Sequence, residues 1–243
     1  MLEATAVAED AHFWFRGLRR TAAQLIDDAR GNRPLRLIVD CGAGTGRNLD
    51  WLSRFGPAVG VELTPAGLRI GHRYGRRLVR GTVAALPFAD ASVDLATSFD
   101  VLYCLDDDIE RRALAEMFRV LKRGGIALFN VAALDILHGS HSTLTREVRR
   151  YTKPRLRSRL TAAGFTVERM TFTNMTLFPM ALAIRGFERV TGRAAEESES
   201  DLAVPAAPVN ALLDLALRAE VRALRAINLP IGTSLMAVAR KPE

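Results

Sequence analysis

"LIVDCGAGTGRNLDWL", Leu37–Leu52, carries an apolar strand-like run into three glycines at alternate positions and on into a helical pattern that starts near Arg47. An apolar run, a glycine turn and a helix in immediate succession set backbone N–H groups and the positive end of a helix around one point. Glycine suits such a turn because it reaches backbone angles closed to other residues and lets a ligand come close. The same chain then repeats the alternation: "LRLIVD", "AVGVEL", "RLVRGT", "VDLATSF" and "GIALFNVA" read as strands, with helices expected over Arg47–Phe55, Pro65–Tyr74 and Asp107–Leu121. Strands alternating with helices predict a parallel sheet wrapped on its faces by helices. The helix ending at Leu121 is expected to stop at "KRGG", with basic residues and glycine in the stop position.

Around this core the expected elements are a leading amphipathic helix over Asp10–Ala29, a helix in "TKPRLRSRLTAAGF" with proline in its first turn, a strand "FTVERMTF", and a last strand "TSLMAVARK". About 60 residues separate these last two strands; they hold an apolar helix near Met175–Val190, the linker-like "TGRAAEESESDLAVPAAP", and a helix from Val209 to about Ile227. The chain is thus expected to divide into an N-terminal helical cap (1–34), a ligand-binding α/β domain (35–172 plus 233–243), and a helical insert (173–232) that serves as lid, substrate roof or dimer surface.

Composition narrows the classes. With 49% apolar and 25% charged residues the 243-residue chain reads as a globular protein. No apolar run has the length of a membrane span, and the start "MLEATAVAEDAHFWF" has acids where a signal peptide carries positive charge, so a cytoplasmic protein is expected, with membrane association through the apolar insert left open. Two cysteines, Cys41 and Cys104, are too few for a disulfide framework or a four-ligand zinc site, and no metal is expected. The net charge of +7 admits an acidic partner. Only Lys122, Lys153 and Lys241 among the 34 basic residues are lysine, however, which reads as a global arginine bias rather than a designed surface, and no DNA partner is expected.

Two ligand classes use a glycine loop of this kind, dinucleotides and S-adenosylmethionine. The dinucleotide fingerprint is G-x-G-x-x-G, whereas Gly42, Gly44 and Gly46 give G-x-G-x-G, with Arg47 where the third dinucleotide glycine would stand. An acid two residues before the loop, Asp40, suits a ligand with a positive amino group better than a pyrophosphate. Glu62, ending "VGVEL", can accept hydrogen bonds from ribose hydroxyls. The competing reading gives Asp40 and Glu62 ordinary strand-end roles.

From Leu35 to Val131 the chain resembles the class I S-adenosylmethionine-dependent methyltransferases: "VDCGAGTG" is similar to their first motif, "VGVEL" to the second, "ALPFADASVDL" to the approach to the fourth strand and "RVLKRGGIAL" to the fifth. The resemblance implies a Rossmann-like sheet with S-adenosyl-L-methionine as cofactor. It assigns Asp40, Gly42, Gly44 and Gly46 to the methionine portion, Glu62 to the ribose and Thr82, Val83 and Ala84 to the adenine, with Cys41, Ala43, Leu63, Phe99 and Asp100 as further expected cofactor-binding residues. Thr82 stands where many relatives carry aspartate. "EDAHFWFRGLRR" and "RRYTKPRLRSRLTAAGF" further resemble a bacterial subgroup with an H-W-W-F-R-type start and an R-R-Y segment; where its members show W-S-x-H-D followed by H-x-R-R-Y, this chain has "LHGSHSTLTREVRRY".

Methyl transfer needs alignment more than acid–base help, and proximity alone supplies roughly 7–11 kcal/mol. For a hydroxyl acceptor a base adds about 10²–10⁴-fold, and His141 and His138, after the fifth strand, are the candidate catalytic residues. Tyr103, Arg149, Arg150, Tyr151 and Trp14 are candidate substrate contacts; the arginines could equally be a salt-bridged helix start, and the aromatics of the leading helix could be core. Asp100 could contact the acceptor or only cap a helix, and Cys104 is read as a core thiol. The expected function is methylation of a small molecule at oxygen, nitrogen or carbon, including a secondary metabolite or lipid-linked acceptor, by a chain that could form a homodimer. The alternatives are an RNA methyltransferase and a non-catalytic cofactor-binding protein.

Overall fold

Strands that read as unbroken apolar runs should be covered on both faces, and β1 (Ile38–Cys41) is buried at all four positions. The computed structural model describes residues 9–137, 147–191 and 204–243. In it β1 lies at the middle of a seven-stranded sheet with β2 (Ala58–Glu62), β3 (Leu78–Arg80), β4 (Val93–Phe99), β5 (Leu121–Ala132), β6 (Thr166–Thr173) and β7 (Ser234–Arg240), in the order β3-β2-β1-β4-β5-β7-β6. The first five strands are mutually parallel; β7 enters antiparallel between β5 and β6. The two strands separated by the long insert therefore pair directly with one another.

The longer helices among the described residues are, in chain order, α1 (Phe13–Arg30), α2 (Arg47–Leu52), α3 (Pro65–Arg73), α4 (Asp107–Val120), α5 (Lys153–Ala162), α6 (Phe178–Thr191) and α7 (Ala207–Ala223). One core lies under α1 and α2, built from Leu25, Ile26, Ile38, Leu52, Leu95 and Leu128. The other lies under α4 and α5, around Leu114, Met117, Phe129, Leu156 and Leu160. This is the three-layer solution for a parallel sheet. Starts are set by side chains: the Thr64 hydroxyl accepts from Gly67 N at α3, the Asp106 carboxylate from Ile109 N at α4, and Thr152 caps α5 ahead of its first-turn proline.

Several expected boundaries move, each for a local reason. The leading helix breaks at His12, whose backbone is extended and whose Nδ1 accepts from Trp14 N, so α1 starts at Phe13. β1 starts at Ile38 because the N–H groups of Arg36 and Leu37 go to the Asp94 carboxylate instead of the ladder. The "KRGG" stretch does not lie outside the sheet. Leu121 already pairs with Val93, the next pair is Leu95 with Ile126, and the residues between them bulge through Gly124 at φ +68°. The last insert helix ends at Ala223, four residues before Ile227.

α7 is seated on α1. Gly17 lets the helices meet, since a Cβ there would come within 2.4 Å of Leu217 Cδ1. Asn210 accepts from Phe13 N and donates to Ala11 O, and the buried Asp214 binds Arg16, Arg20 and Arg218. Among the described residues no helix is long and apolar enough to cross a membrane, and no group of three or more metal-ligating side chains assembles.

Candidate active site

In open α/β sheets ligands bind beyond the carboxyl ends of the strands, and the glycine loop occupies that edge. Gly42, Gly44 and Gly46 all have positive φ, at 80°, 56° and 74°. A Cβ on Gly42 would strike Val101, whereas one on Gly44 would meet nothing within 4 Å, so Gly44 borders open space. Gly42 N and Ala43 N both donate to Val61 O at 2.9 Å, and Gly44 N donates to Glu62 Oε2 at 2.8 Å. The other carboxylate oxygen of Glu62 accepts from Thr64 N and Thr64 Oγ1 at 2.8 and 2.5 Å. The buried Glu62 is therefore held in one orientation between the loops after β1 and β2.

Asp40 is 1% exposed, and its Oδ1 accepts from Thr97 Oγ1 at 2.7 Å. Its Oδ2 has no partner among the described residues. Burial pushes this carboxyl up to about 6, with the Thr97 hydroxyl and the neighbouring Asn48 amide opposing and the Glu62 charge adding to the rise. A buried, half-satisfied carboxylate is costly unless something supplies a donor. A ligand with an amino group fits that oxygen, which lies near the open face of Gly44 and the fixed carboxylate of Glu62.

The chain before α1 lies on this loop. Glu9 Oε2 accepts from Thr45 Oγ1 at 2.8 Å, Asp10 pairs with Arg47, and Arg19 donates to Glu9 O at 2.6 Å. Arg76 braces the far side through Asp50 and Thr45 O, both at 2.9 Å. Burial raises the Glu9 carboxyl.

At the end of β4, Asp100 takes a left-handed backbone, φ 61°. Asn130 Nδ2 of β5 donates to its Oδ1 at 2.8 Å, and Tyr103 hydrogen-bonds it from the turn that follows. Burial pushes this carboxyl up to about 7; the Glu147 charge adds to the rise, and Asn130 and Tyr103 oppose it. Asn130 Oδ1 is buried and without a partner among the described residues. Tyr103 O accepts from Val148 N and Arg149 N, drawing residues 147–151 alongside. There Glu147 pairs with Arg150 at 2.9 Å, Arg149 pairs with the fully buried Glu110 of α4, and Tyr151 Oη donates to Glu110 Oε1 at 2.8 Å.

The residues singled out in the sequence thus do not all meet at one place. Asp40, Gly42, Gly44, Gly46 and Glu62 converge on one cradle, with the exposed Leu63 beside Glu62. The hydroxyl of Thr82 is engaged locally, accepting from Ala84 N. The side chains of Cys41, Ala43 and Phe99 go into the core, Phe99 edge-on to Trp51, so that only their main chains are available to a ligand at this edge. Trp14 packs on the cluster of Phe13, Leu177 and Leu217. Arg149 and Tyr151 are bound to α4 rather than pointed into a cavity, while Tyr103 joins Asp100. His138 and His141 lie outside the described residues. Asn130, Asn48 and Thr97 were not singled out; a lone asparagine in the otherwise apolar "IALFNVA" was the available signal for the first.

Comparison with known proteins agrees with this geometry. Residues 39–129 match the model of a family described as a methyltransferase domain. The chain is 36% identical over 109 residues to malonyl-[acyl-carrier protein] O-methyltransferase 1 of Coxiella burnetii, covering 44% of this chain and 37% of that protein. It is 35% identical over 114 residues to demethylmenaquinone methyltransferase of Renibacterium salmoninarum, covering 45% and 46%. The chain therefore spans less than half the length of these curated relatives. Among solved structures, 1,6-didemethyltoxoflavin-N1-methyltransferase of Burkholderia thailandensis, with its acceptor and S-adenosylhomocysteine bound, superposes with a TM-score of 0.57 at 20% identity, covering 95% of this chain and 81% of that one. Residues 39–129 are thus similar to a methyltransferase domain, and the seven-stranded sheet has the Rossmann-like fold of the solved methyltransferase structure on which it superposes.

Proposed function

We propose that this protein binds S-adenosylmethionine and transfers its methyl group to a small-molecule acceptor. The observation that carries the reading is the unpaired Asp40 Oδ2 beside the open face of Gly44 and the fixed carboxylate of Glu62. In this reading Asp40 receives the amino group, Gly42, Gly44 and Gly46 let the methionine portion approach the backbone, and Glu62 accepts from the ribose hydroxyls. Leu63 and the Thr82–Ala84 segment flank the adenine. The bound sulfonium supplies an electrophilic methyl group. The protein's own part is alignment and exclusion of water, for which residues 1–34 act as a cap and residues 173–232 as a roof. The roof helices carry exposed apolar side chains, Met180, Ile184, Leu212 and Leu215, and the relatives named for a malonyl ester and a demethylmenaquinone support a small-molecule acceptor over a nucleic acid.

Titration calorimetry tests the reading. S-adenosylmethionine and S-adenosylhomocysteine are expected to bind and NAD is not, because Arg47 opens α2 where a dinucleotide site needs glycine. Glu62→Ala should weaken S-adenosylhomocysteine binding by about 1.5–3 kcal/mol, the worth of hydrogen bonds to a charged group. Binding of NAD without response to either sulfur compound would overturn the assignment.

A further inference from the structure

The edge of the sheet beyond β4 and β5 holds a second group of polar side chains that the cradle does not use. Asp100 is half-buried and sits at φ 61°, in the left-handed region that few residues other than glycine, asparagine and aspartate adopt. Among the described residues, three elements face it. From β5, Asn130 Nδ2 donates to Oδ1; from the turn after β4, Tyr103 hydrogen-bonds the carboxylate and Cys104 Sγ lies 4.0 Å from its main-chain oxygen; from the segment before α5, Glu147 adds a negative charge that Arg150 neutralises. No arginine or lysine among the described residues pairs with Asp100. Asn130 has turned its donor to Asp100, and this leaves its acceptor oxygen buried and unmatched. Asn130 Oδ1 is thus a buried acceptor without a partner among the described residues, next to a carboxylate that accepts from Asn130 and Tyr103.

We propose that Asp100, oriented by Asn130 and Tyr103, is the catalytic base that takes the proton of a hydroxyl-bearing acceptor, with Asn130 Oδ1 as a second recognition point for a donor group of the same molecule. This rests on the methyltransferase reading above. A neutral hydroxyl fits better than a cationic amine, because Glu147 is already neutralised and Asp100 alone makes no deep anionic well. As the acceptor oxygen forms its bond to the methyl carbon with a lone pair, the electrons of the methyl–sulfur bond return to sulfur. The O–H bond then gives its electrons to oxygen, and its proton ends on Asp100 before leaving to water. A base is most effective when its pKa lies near the working pH, and burial has pushed Asp100 up to about 7.

Asp100→Asn keeps the Asn130 hydrogen bond and suits the left-handed backbone, so it isolates the proton. Infrared difference titration of the wild type against this variant is expected to show a carboxyl that loses its proton near pH 7; a midpoint in the ordinary carboxylate range, about 4, overturns the proposal with no acceptor needed. Calorimetry should find S-adenosylhomocysteine affinity within about threefold of wild type, since a base on the acceptor side does not contact the donor's binding groups. A loss above about tenfold would place Asp100 in the donor pocket and overturn the proposal. Radiolabelled methyl transfer to phenol and to thiophenol, the latter ionised at neutral pH, separates proton removal from alignment. Phenol turnover should fall at least about 10²-fold and thiophenol turnover by less than about threefold, and equal losses refute the base. So would His141→Ala abolishing phenol turnover that Asp100→Asn preserves. A wild type that fails to bind S-adenosylhomocysteine removes the methyltransferase reading itself, and the infrared midpoint then decides the status of Asp100 separately.

Discussion

At the scale of single residues, Asp40 shows how burial and ligand binding are linked. Its carboxyl is pushed up to about 6 by burial, and only its ionised form can hold a positive amino group well. S-adenosylhomocysteine affinity should therefore weaken as pH falls through about 6, approaching tenfold per unit on the acid side, and calorimetry between pH 5 and 8 would read it. Thr97→Val removes the hydrogen bond at 2.7 Å that favours the charged form, so the midpoint should move to higher pH, and Asp40→Asn should abolish the dependence. A pH-independent affinity in the wild type counts against Asp40 as the amino-group ligand. The pieces of this site are unequally legible in sequence. Asp40, the three glycines and Glu62 declare themselves because one loop and the next strand end fix their spacing. Thr97 and Asn130 do not, because each lies in an apolar run and gains its partner only when strands far apart in the chain become neighbours.

At the scale of elements, the R-R-Y segment has a structural task that its sequence leaves ambiguous. Glu110 on α4 is fully buried and takes hydrogen bonds from Arg149 and Tyr151, about 40 residues further along the chain, with Arg159 of α5 at 3.7 Å. No local pattern announces such a pairing, and it decides whether Arg149 is available to a substrate. Breaking a buried ion pair from one side is worse than removing both members. Glu110→Ala should lower unfolding free energy by about 3–5 kcal/mol, and Glu110→Leu combined with Arg149→Met should recover a large part of it. Urea denaturation checks both, and a single Arg149→Met variant that loses acceptor affinity without losing stability would instead make Arg149 a substrate contact. The α/β alternation was legible because the central strands β1, β4 and β5 are largely apolar and α1, α3 and α4 are amphipathic. The break at His12 and the bulge in β5 were not, since each is a local backbone accommodation within an otherwise regular pattern.

At the scale of the whole molecule, the proposed function is maintained at a cost in stability. Asp40 and Asp100 hold their protons up to about 6 and about 7 in the fold, against 3.8 for an unperturbed aspartate. The folded state thus binds more protons than the unfolded chain between those values, and stability falls as pH rises from about 4 towards 7 for these two groups. Other carboxylates, such as Asp214 and Glu116, are shifted down and act with the opposite sign, so the raw pH profile of the wild type mixes both. The difference from an Asp40→Asn/Asp100→Asn variant removes the mixture. Any fixed gain or loss from the two amides offsets the variant equally at all pH, whereas the carboxylate contribution changes with pH. The urea midpoint of the variant, taken relative to wild type, should therefore rise from pH 5 to about pH 7 and level off by about pH 8. At the same time S-adenosylhomocysteine at a hundredfold excess over its Kd should stabilise the wild type by about 2.7 kcal/mol and the variant by much less. A difference that stays flat with pH would mean that neither aspartate is perturbed in the folded protein. A rising difference with full ligand stabilisation of the variant would mean that the perturbed carboxylates lie outside the binding site.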